Sequence, residues 1–150
     1  MKTLSYKHLL IMLIALIAIN INHAQNTQEQ LIGTWTFDYD TSLDMMAQKS
    51  KTHYNKMDAT RQDKISASYK GRIITFNNNG TYTHVLANGK TTSATWILNN
   101  NNNLEITPSS GITASFIIKK LEIDTLTLSP INNKGVSTSI LFSNWHLTKN

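Results

Sequence analysis

Short runs in which apolar and polar residues alternate recur along most of this chain, from about residue 32 to residue 147. Alternation with a period of two is typical of strands that bury one face. Between the runs lie turn-forming segments such as Asn78-Asn79-Gly80 and Asn88-Gly89-Lys90, in which glycine tolerates positive φ. The pattern predicts strands at about 32–39, 70–77, 80–87, 91–98, 103–108, 111–119, 122–129 and 136–147.

The segment between the first two predicted strands follows a different pattern. Residues 41–70 are poor in β-branched residues, and their larger apolar side chains recur at roughly helical spacing. Thr41 with Asp44, and Asp58 further on, are typical helix starts, while Gly71 is a typical stop. We expect one or two amphipathic helices here, which either cover the barrel opening as a lid or pack on its outer wall.

Together these elements predict a mostly-β fold. Consecutive hairpins of eight short strands favour an antiparallel up-and-down barrel, because closure leaves no strand with a free edge. The helical segment is then an insertion between strands 1 and 2. An eight-stranded barrel has room either for packed side chains or for one small ligand.

Strand alternation also predicts which side chains point into the barrel. If Trp35 points inward, Gly33 and Phe37 do so as well, and the later strands contribute a mixture of aromatic, aliphatic and a few polar residues. Such a mixture is typical of a small-molecule pocket. The candidate ligand-binding residues are Phe37, Arg72, Ile74, Tyr82, His84, Leu86, Trp96 and Phe116.

Two of these candidates are polar and have alternative interpretations. Arg72 and His84, if they point inward, could hold a carboxylate or phosphate head group, since a guanidinium matches such groups bidentately. Alternatively, Arg72 lies at a strand start with its head in solvent, and His84 is a surface residue of a hairpin.

The start of the first strand carries a recognisable motif. Leu31-Ile32-Gly33-Thr34-Trp35 is similar to the Gly-x-Trp opening of the calycin superfamily, and the order of the later motifs resembles bacterial lipocalin-like domains. Those later motifs are a hairpin from Phe76 to Tyr82, Thr95-Trp96 and Leu126-Thr127-Leu128.

The resemblance implies a barrel whose closed end is plugged by Trp35 beside Gly33, and whose open end admits a small apolar or amphipathic molecule. Lipocalins usually place an arginine across this tryptophan from near the last strand. Here that region offers only His146 or Lys149.

The N-terminal segment predicts export. A basic start with Lys2 and Lys7 precedes an apolar run from Leu9 to Ile19, and Ala24 offers a cleavage point. We expect residues 1–24 to be a signal peptide and residues 25–150 to form a periplasmic or secreted domain with no membrane span. An uncleaved N-terminal anchor is the alternative.

Composition narrows the chemistry. The chain has no cysteine, so no disulfide stabilises it, and its net charge of +5 includes two leader lysines, which argues against nucleic-acid binding. No zinc-ligand spacing, Gly-x-Ser-x-Gly elbow or glycine-rich phosphate loop occurs, so we expect no metal, no cofactor and no enzymatic activity.

Residues 41–70 carry six basic and three acidic side chains. This excess of positive charge would favour anionic or amphipathic ligands or an acidic lipid surface. Alternatively, these side chains simply form a solvated helix face.

Two functions follow from these expectations. The favoured one is an exported lipocalin-like protein that binds a small apolar or amphipathic ligand inside the barrel. The alternative is an envelope module or inhibitor whose barrel core is filled and whose surface binds a protein partner.

Overall fold

A closed barrel is the main feature of the computed structural model, which describes residues 27–99, 102–131 and 141–150. Within these ranges each strand pairs antiparallel with the next, and the last pairs with the first, so the predicted up-and-down barrel is confirmed. The strands are β1 (Gly33–Phe37), β2 (Ile73–Phe76), β3 (Thr81–Val85), β4 (Thr91–Asn99), β5 (Asn103–Pro108), β6 (Ala114–Leu121), β7 (Thr125–Ile131) and β8 (Trp145–Lys149).

The pairing of β1 with β8 closes the barrel. Trp35 lies opposite Lys149, and Phe37 lies opposite Leu147. Beyond the strand, the backbone N–H of Asn150 donates to the carbonyl of Thr34 at 2.9 Å, which extends the same ladder by one step.

The strand bounds differ most from prediction at the end of the chain. The predicted strand 136–147 is wrong in its bounds, because β8 begins only at Trp145 and residues 141–144 are not strand. Residues 136–140 lie outside the described residues. β6 also begins at Ala114 and not at 111, because Gly111 (φ +82°) donates its N–H to the Pro108 carbonyl and closes a turn.

The predicted helical insertion is confirmed, but it contains three helices and not one or two. They are α1 (Tyr39–Asp44), α2 (Gln48–Asn55) and α3 (Ala59–Tyr69). Helix α1 begins before the expected Thr41, because the Asp38 carboxylate caps it by accepting the Thr41 N–H at 3.0 Å. Asp58 caps α3 in the same way, as predicted.

Two apolar clusters fill the described part of the molecule. The closed-end core lies inside the barrel, and its buried members are Leu31, Trp35, Ile74, Phe76, Tyr82, Trp96, Leu104, Ile106, Phe116, Ile118, Leu126, Leu128 and Leu147. The lid core lies between the helices and the barrel mouth, and its buried members are Phe37, Tyr39, Met46, Tyr54 and Phe142. The helices therefore cover part of the opening, as a lid does.

Two predictions on the rest of the chain remain. The predicted signal peptide, residues 1–24, lies outside the described residues. Across the described ranges, none of the helices has the length and apolarity needed to cross a membrane.

Candidate ligand-binding site

The closed end of the barrel is sealed around Trp35. Its side chain is fully buried, and its indole Nε1 donates to the Leu31 carbonyl at 2.9 Å. The Lys149 ammonium lies 4.9 Å from the centre of the indole ring and donates to the Gln30 carbonyl at 3.0 Å. Lys149, and not His146, thus occupies the position across the tryptophan where the resemblance leads us to expect an arginine.

Gly33 makes room for that lysine. Its φ of +135° is unfavourable for residues with a side chain, and an added Cβ would lie 2.7 Å from Cε of Lys149. Gly33 and Trp35 therefore lie together with Lys149 at this end of the barrel.

Above the plug, the lower half of the barrel is filled with side chains. Phe76 contacts Tyr82 and Trp96, with both ring-centre distances at 5.4 Å. Trp96 donates its indole N–H to the Asn77 carbonyl at 3.0 Å, and Ile74 is 1% exposed. Ile74, Tyr82 and Trp96 point inward as predicted, but they belong to this packed layer.

Closer to the mouth, several inward-facing residues remain partly exposed. Strand register places Ala94 opposite Tyr82, Ala114 opposite Ile106 and Trp145 opposite Leu128, and each of these partners is buried. Neighbours in register point to the same face of a sheet, so the side chains of the partly exposed residues also face the interior. His84 lies opposite the buried Ile74, and Leu86 continues the alternation past β3, where its N–H donates to the Lys90 carbonyl at 2.8 Å. We call this set the open sector, and its members are His84, Leu86, Ala94, Ala114 and Trp145.

The lid explains why the exposure is confined to one side of the mouth. Phe37 lies near the mouth on β1, but it is only 3% exposed because Tyr69 and Phe142 pack against it, at 5.4 and 5.5 Å between ring centres. Trp145 lies between this lid core and the rest of the open sector, with its ring 6.0 Å from that of Phe37 and 6.3 Å from that of His84. The candidate Phe37 therefore belongs to the lid core and not to the open sector.

A groove leads toward the open sector from outside. It lies between α3 and the turn that joins β3 to β4, and its volume is about 490 Å³. The residues that line it are Lys64, Ala67, Ser68, Arg72, Leu86, Ala87 and Asn88. Leu86 belongs to both the groove and the open sector, so the two are adjacent.

Arg72 lies at the junction between the groove and the barrel interior. Its Nε donates to the Ser68 carbonyl at 2.7 Å, and its guanidinium carbon is 3.9 Å from the centre of the Tyr69 ring. Burial lowers the pKa of the Arg72 guanidinium, and its charge in turn acts on Tyr82 and His84 inside the barrel. The side chain is thus half-buried and fixed in place, which matches neither a fully inward nor a solvated arginine.

His84 is the other polar candidate. Its Nε2 is buried and has no hydrogen-bond partner among the described residues. Burial, and secondly the positive charge of Arg72, lower the pKa of His84 to about 4. The imidazole is therefore neutral at pH 7, and one of its nitrogens lacks the partner that buried polar atoms normally have.

Phe116 is the last of the candidates predicted from the sequence. Phe116 is 7% exposed and contacts Trp145, with 5.5 Å between the ring centres. Lys64 and Ser68 also line the groove, although neither is among the candidates predicted from the sequence. Lys64 and Ser68 lie four residues apart on α3 and share one helix face, and this spacing was the available signal, whereas Arg72 lies beyond the end of the helix. The described residues contain no group of three or more His, Asp or Glu placed to bind a metal ion.

An up-and-down barrel with a buried tryptophan plug at one end and accessible inward-facing residues at the other defines the class of lipocalin-type barrels. Comparison with known families agrees, because the lipocalin-like domain family matches residues 17–128. The chain belongs to this family of lipocalin-like domains.

The chain is similar to a solved DUF4847 family protein from Bacteroides vulgatus, with 21% identity and a TM-score of 0.46, over 79% of this chain and 92% of that one. No curated protein matches the chain.

Proposed function

We propose that this protein binds a small apolar or amphipathic molecule in the open sector of its barrel and does not transform it chemically. One observation carries the proposal: His84, Leu86, Ala94, Ala114 and Trp145 face the barrel interior and yet remain partly exposed. Inward-facing side chains that water can still reach mark space that the protein's own residues do not fill.

The composition of the open sector supports an apolar occupant. Ala94 and Ala114 are small and lie on β4 and β6, so they leave room where larger residues would fill the barrel. Trp145 and Leu86 supply apolar walls, and His84 is the only titratable residue of the set. Burial of apolar ligand surface against such walls is the main source of affinity in pockets of this kind.

Filling the open sector is the direct test. Purified protein is titrated with N-phenyl-1-naphthylamine, an uncharged probe whose fluorescence rises in apolar surroundings. We expect saturable binding, and we expect Ala114→Phe to weaken it at least about tenfold, because the added ring occupies the probe's space. Lys119→Phe adds the same ring at an exposed position of the same strand and serves as the control.

The outcome separates the two functions considered from the sequence. If the probe does not bind, or if both variants bind it as well as the unsubstituted protein, the open sector holds no ligand. The alternative, a protein-binding module or inhibitor, would then be favoured.

The proposal includes export to the periplasm or the cell exterior. It is supported by the basic start at Lys2 and Lys7 and the apolar run from Leu9 to Ile19. Intact mass of the protein recovered from periplasm and medium tests it, since cleavage after Ala24 removes the mass of residues 1–24. Recovery of uncleaved chain in the cytoplasm alone would contradict export.

A further inference from the structure

We propose that the bound molecule carries an anionic head group, a carboxylate or a phosphate ester, which Arg72 binds at the junction of the groove and the open sector. In this arrangement Lys64 flanks the head group on the outer side and His84 on the inner side. The inference rests on the proposed function, because it concerns the polar end of the same ligand.

The charge of the groove favours an anion. Its lining includes two cations, Lys64 and Arg72, and no carboxylate. Among the described residues, the ion pairs use other lysines, namely Lys51, Lys70 and Lys120. The charges of Lys64 and Arg72 are therefore not neutralised by a described acidic side chain, and an anionic group in the groove would complement both.

The geometry of Arg72 favours a group that accepts two hydrogen bonds. Nε is already used by the Ser68 carbonyl, and the face of the guanidinium stacks on Tyr69. These two contacts fix its plane. The terminal nitrogens Nη1 and Nη2 donate to no described residue. A guanidinium that is held in place with both terminal nitrogens available can donate two parallel hydrogen bonds to two oxygens of one carboxylate or phosphate group.

His84 supplies a second polar atom on the inner side. Its Nε2 is buried without a partner, and Arg72 lies close enough for its charge to act on the ring. Two titratable groups lie near His84 within the barrel, namely Arg72 and Tyr82. Lys64, on α3, lines the groove outside the barrel together with Arg72. An anion next to Arg72 could accept a hydrogen bond from Nε2–H, and it would offset the positive charge that disfavours protonation of His84.

The apolar part of the ligand then has a defined direction. Leu86 lines the groove beside Arg72, so we expect a chain attached to a head group on Arg72 to run past Leu86 toward the inward-facing Ala94 and Ala114. The head group stays near water, while the tail occupies the apolar space.

Head-group selectivity is measured by displacing N-phenyl-1-naphthylamine from the full-length protein with ligands that share one tail. Dodecanoate and dodecyl phosphate carry the anion, whereas dodecanol and methyl dodecanoate are uncharged. We expect at least one anion to bind about tenfold or more tightly than dodecanol, with the difference shrinking in high salt. The better of the two anions identifies the head group as a carboxylate or a phosphate ester.

Variants locate the effect. We expect Arg72→Gln to weaken binding of the preferred anion about ten- to a hundredfold, as for loss of a charge-assisted hydrogen bond, while dodecanol binding changes less than about twofold. Lys64→Gln, at the outer side, should weaken anion binding several-fold. Lys119→Gln removes a charge at an exposed site outside the groove and should leave both affinities unchanged.

A folding defect would not obscure the result. If Arg72→Gln lowers the melting temperature, Arg72→Lys is the second variant, because it keeps the positive charge but cannot donate two parallel hydrogen bonds. We expect its affinity for the anion to lie between that of Arg72→Gln and that of the unsubstituted protein. NMR titration of the His84 ring gives an independent readout, since its pKa should rise when the preferred anion binds and stay unchanged with dodecanol.

Two negative results are distinguishable. If anions and dodecanol bind equally well, or if Arg72→Gln weakens both alike, the head-group inference is overturned and the proposed function stands. If neither ligand displaces the probe and the probe itself does not bind, the proposed function fails, and this inference fails with it.

Discussion

The two ends of the barrel use the same strand alternation but differ in how their inward-facing side chains are packed. At the closed end, Trp35 and Leu126 are 0% exposed. Near the mouth, His84, Ala94 and Ala114 occupy equivalent inward positions and remain partly exposed. The comparison shows that alternation fixes the direction of a side chain, while its burial depends on what covers that end of the barrel. The closed end is covered by the Trp35 plug, whereas the lid covers only one side of the mouth.

This difference assigns stability and binding to different ends. Fully buried, tightly packed residues contribute most to the free energy of unfolding, whereas binding requires space that packing leaves open. Three predictions test this division, in order of decreasing expected effect.

Replacing the tryptophan at each end should have unequal consequences. We expect Trp35→Ala to lower the free energy of unfolding by about 3–5 kcal/mol, because it removes a fully buried indole and its hydrogen bond to Leu31. Trp145→Ala, at the partly exposed boundary of the open sector, should cost about 2 kcal/mol. Urea denaturation followed by circular dichroism measures both, and equal losses would contradict the division.

Glycines at the two ends should also differ. We expect Gly33→Ala to cost about 2–3 kcal/mol, mainly because its φ of +135° is strained for alanine, while the end of the Lys149 side chain would also have to shift away from the new Cβ. Gly89 in the β3–β4 turn also has a positive φ, but its value of +81° lies closer to the left-handed region that alanine can adopt, and nothing lies within 4 Å of an added Cβ. Gly89→Ala should therefore cost only the backbone strain, about 1 kcal/mol. Thermal unfolding of the two variants compares them, and an equal or larger loss at Gly89 would contradict the expected difference between the two ends.

Lowering the pH should reduce the free energy of unfolding through His84 at the open end of the barrel. An unfolded histidine has a pKa of about 6.5, whereas burial and Arg72 lower that of His84 to about 4. Between these values the unfolded chain binds more protons, so the free energy of unfolding falls as pH decreases from about 7 to 4. We expect His84 to account for about 1–2 kcal/mol of this loss, given that the residue is partly exposed.

The control for this pH effect is His84→Gln, which cannot titrate. Urea midpoints measured between pH 7 and pH 4 should fall less steeply for this variant. His146 contributes in the same direction, since burial lowers its pKa as well, so some slope should remain. If the urea midpoint changes equally with pH in the variant and in the unsubstituted protein, His84 is not a source of the pH dependence of stability.

The fold could be predicted from the sequence because its signals are local. Turn residues such as Gly80 and Gly89 and the alternation between them depend on near neighbours, and β5 was predicted with its observed bounds, Asn103–Pro108. The last strand was misplaced because Phe142 looks like a strand residue, whereas it packs in the lid core against Phe37 and Tyr69. That packing depends on contacts between distant parts of the chain, which periodicity does not report.

The site was only partly predictable for a similar reason. Alternation correctly placed Tyr82 and Trp96 inside the barrel. It could not show that these residues are packed while His84 and Ala114 remain accessible, since that depends on where the lid helices lie. The position of Arg72 is decided by its contacts with Ser68 and Tyr69, which depend on where α3 ends and on how the chain turns at Gly71.

The pairing of β1 with β8 also constrains the order of folding. Trp35 faces Lys149 across this seam, so one edge of the first strand has no partner until nearly the whole chain has been synthesised. Joining segments so distant in sequence is entropically costly and makes folding slow. Until then both outer strands can pair with other chains, so the incomplete polypeptide is the species most prone to aggregate.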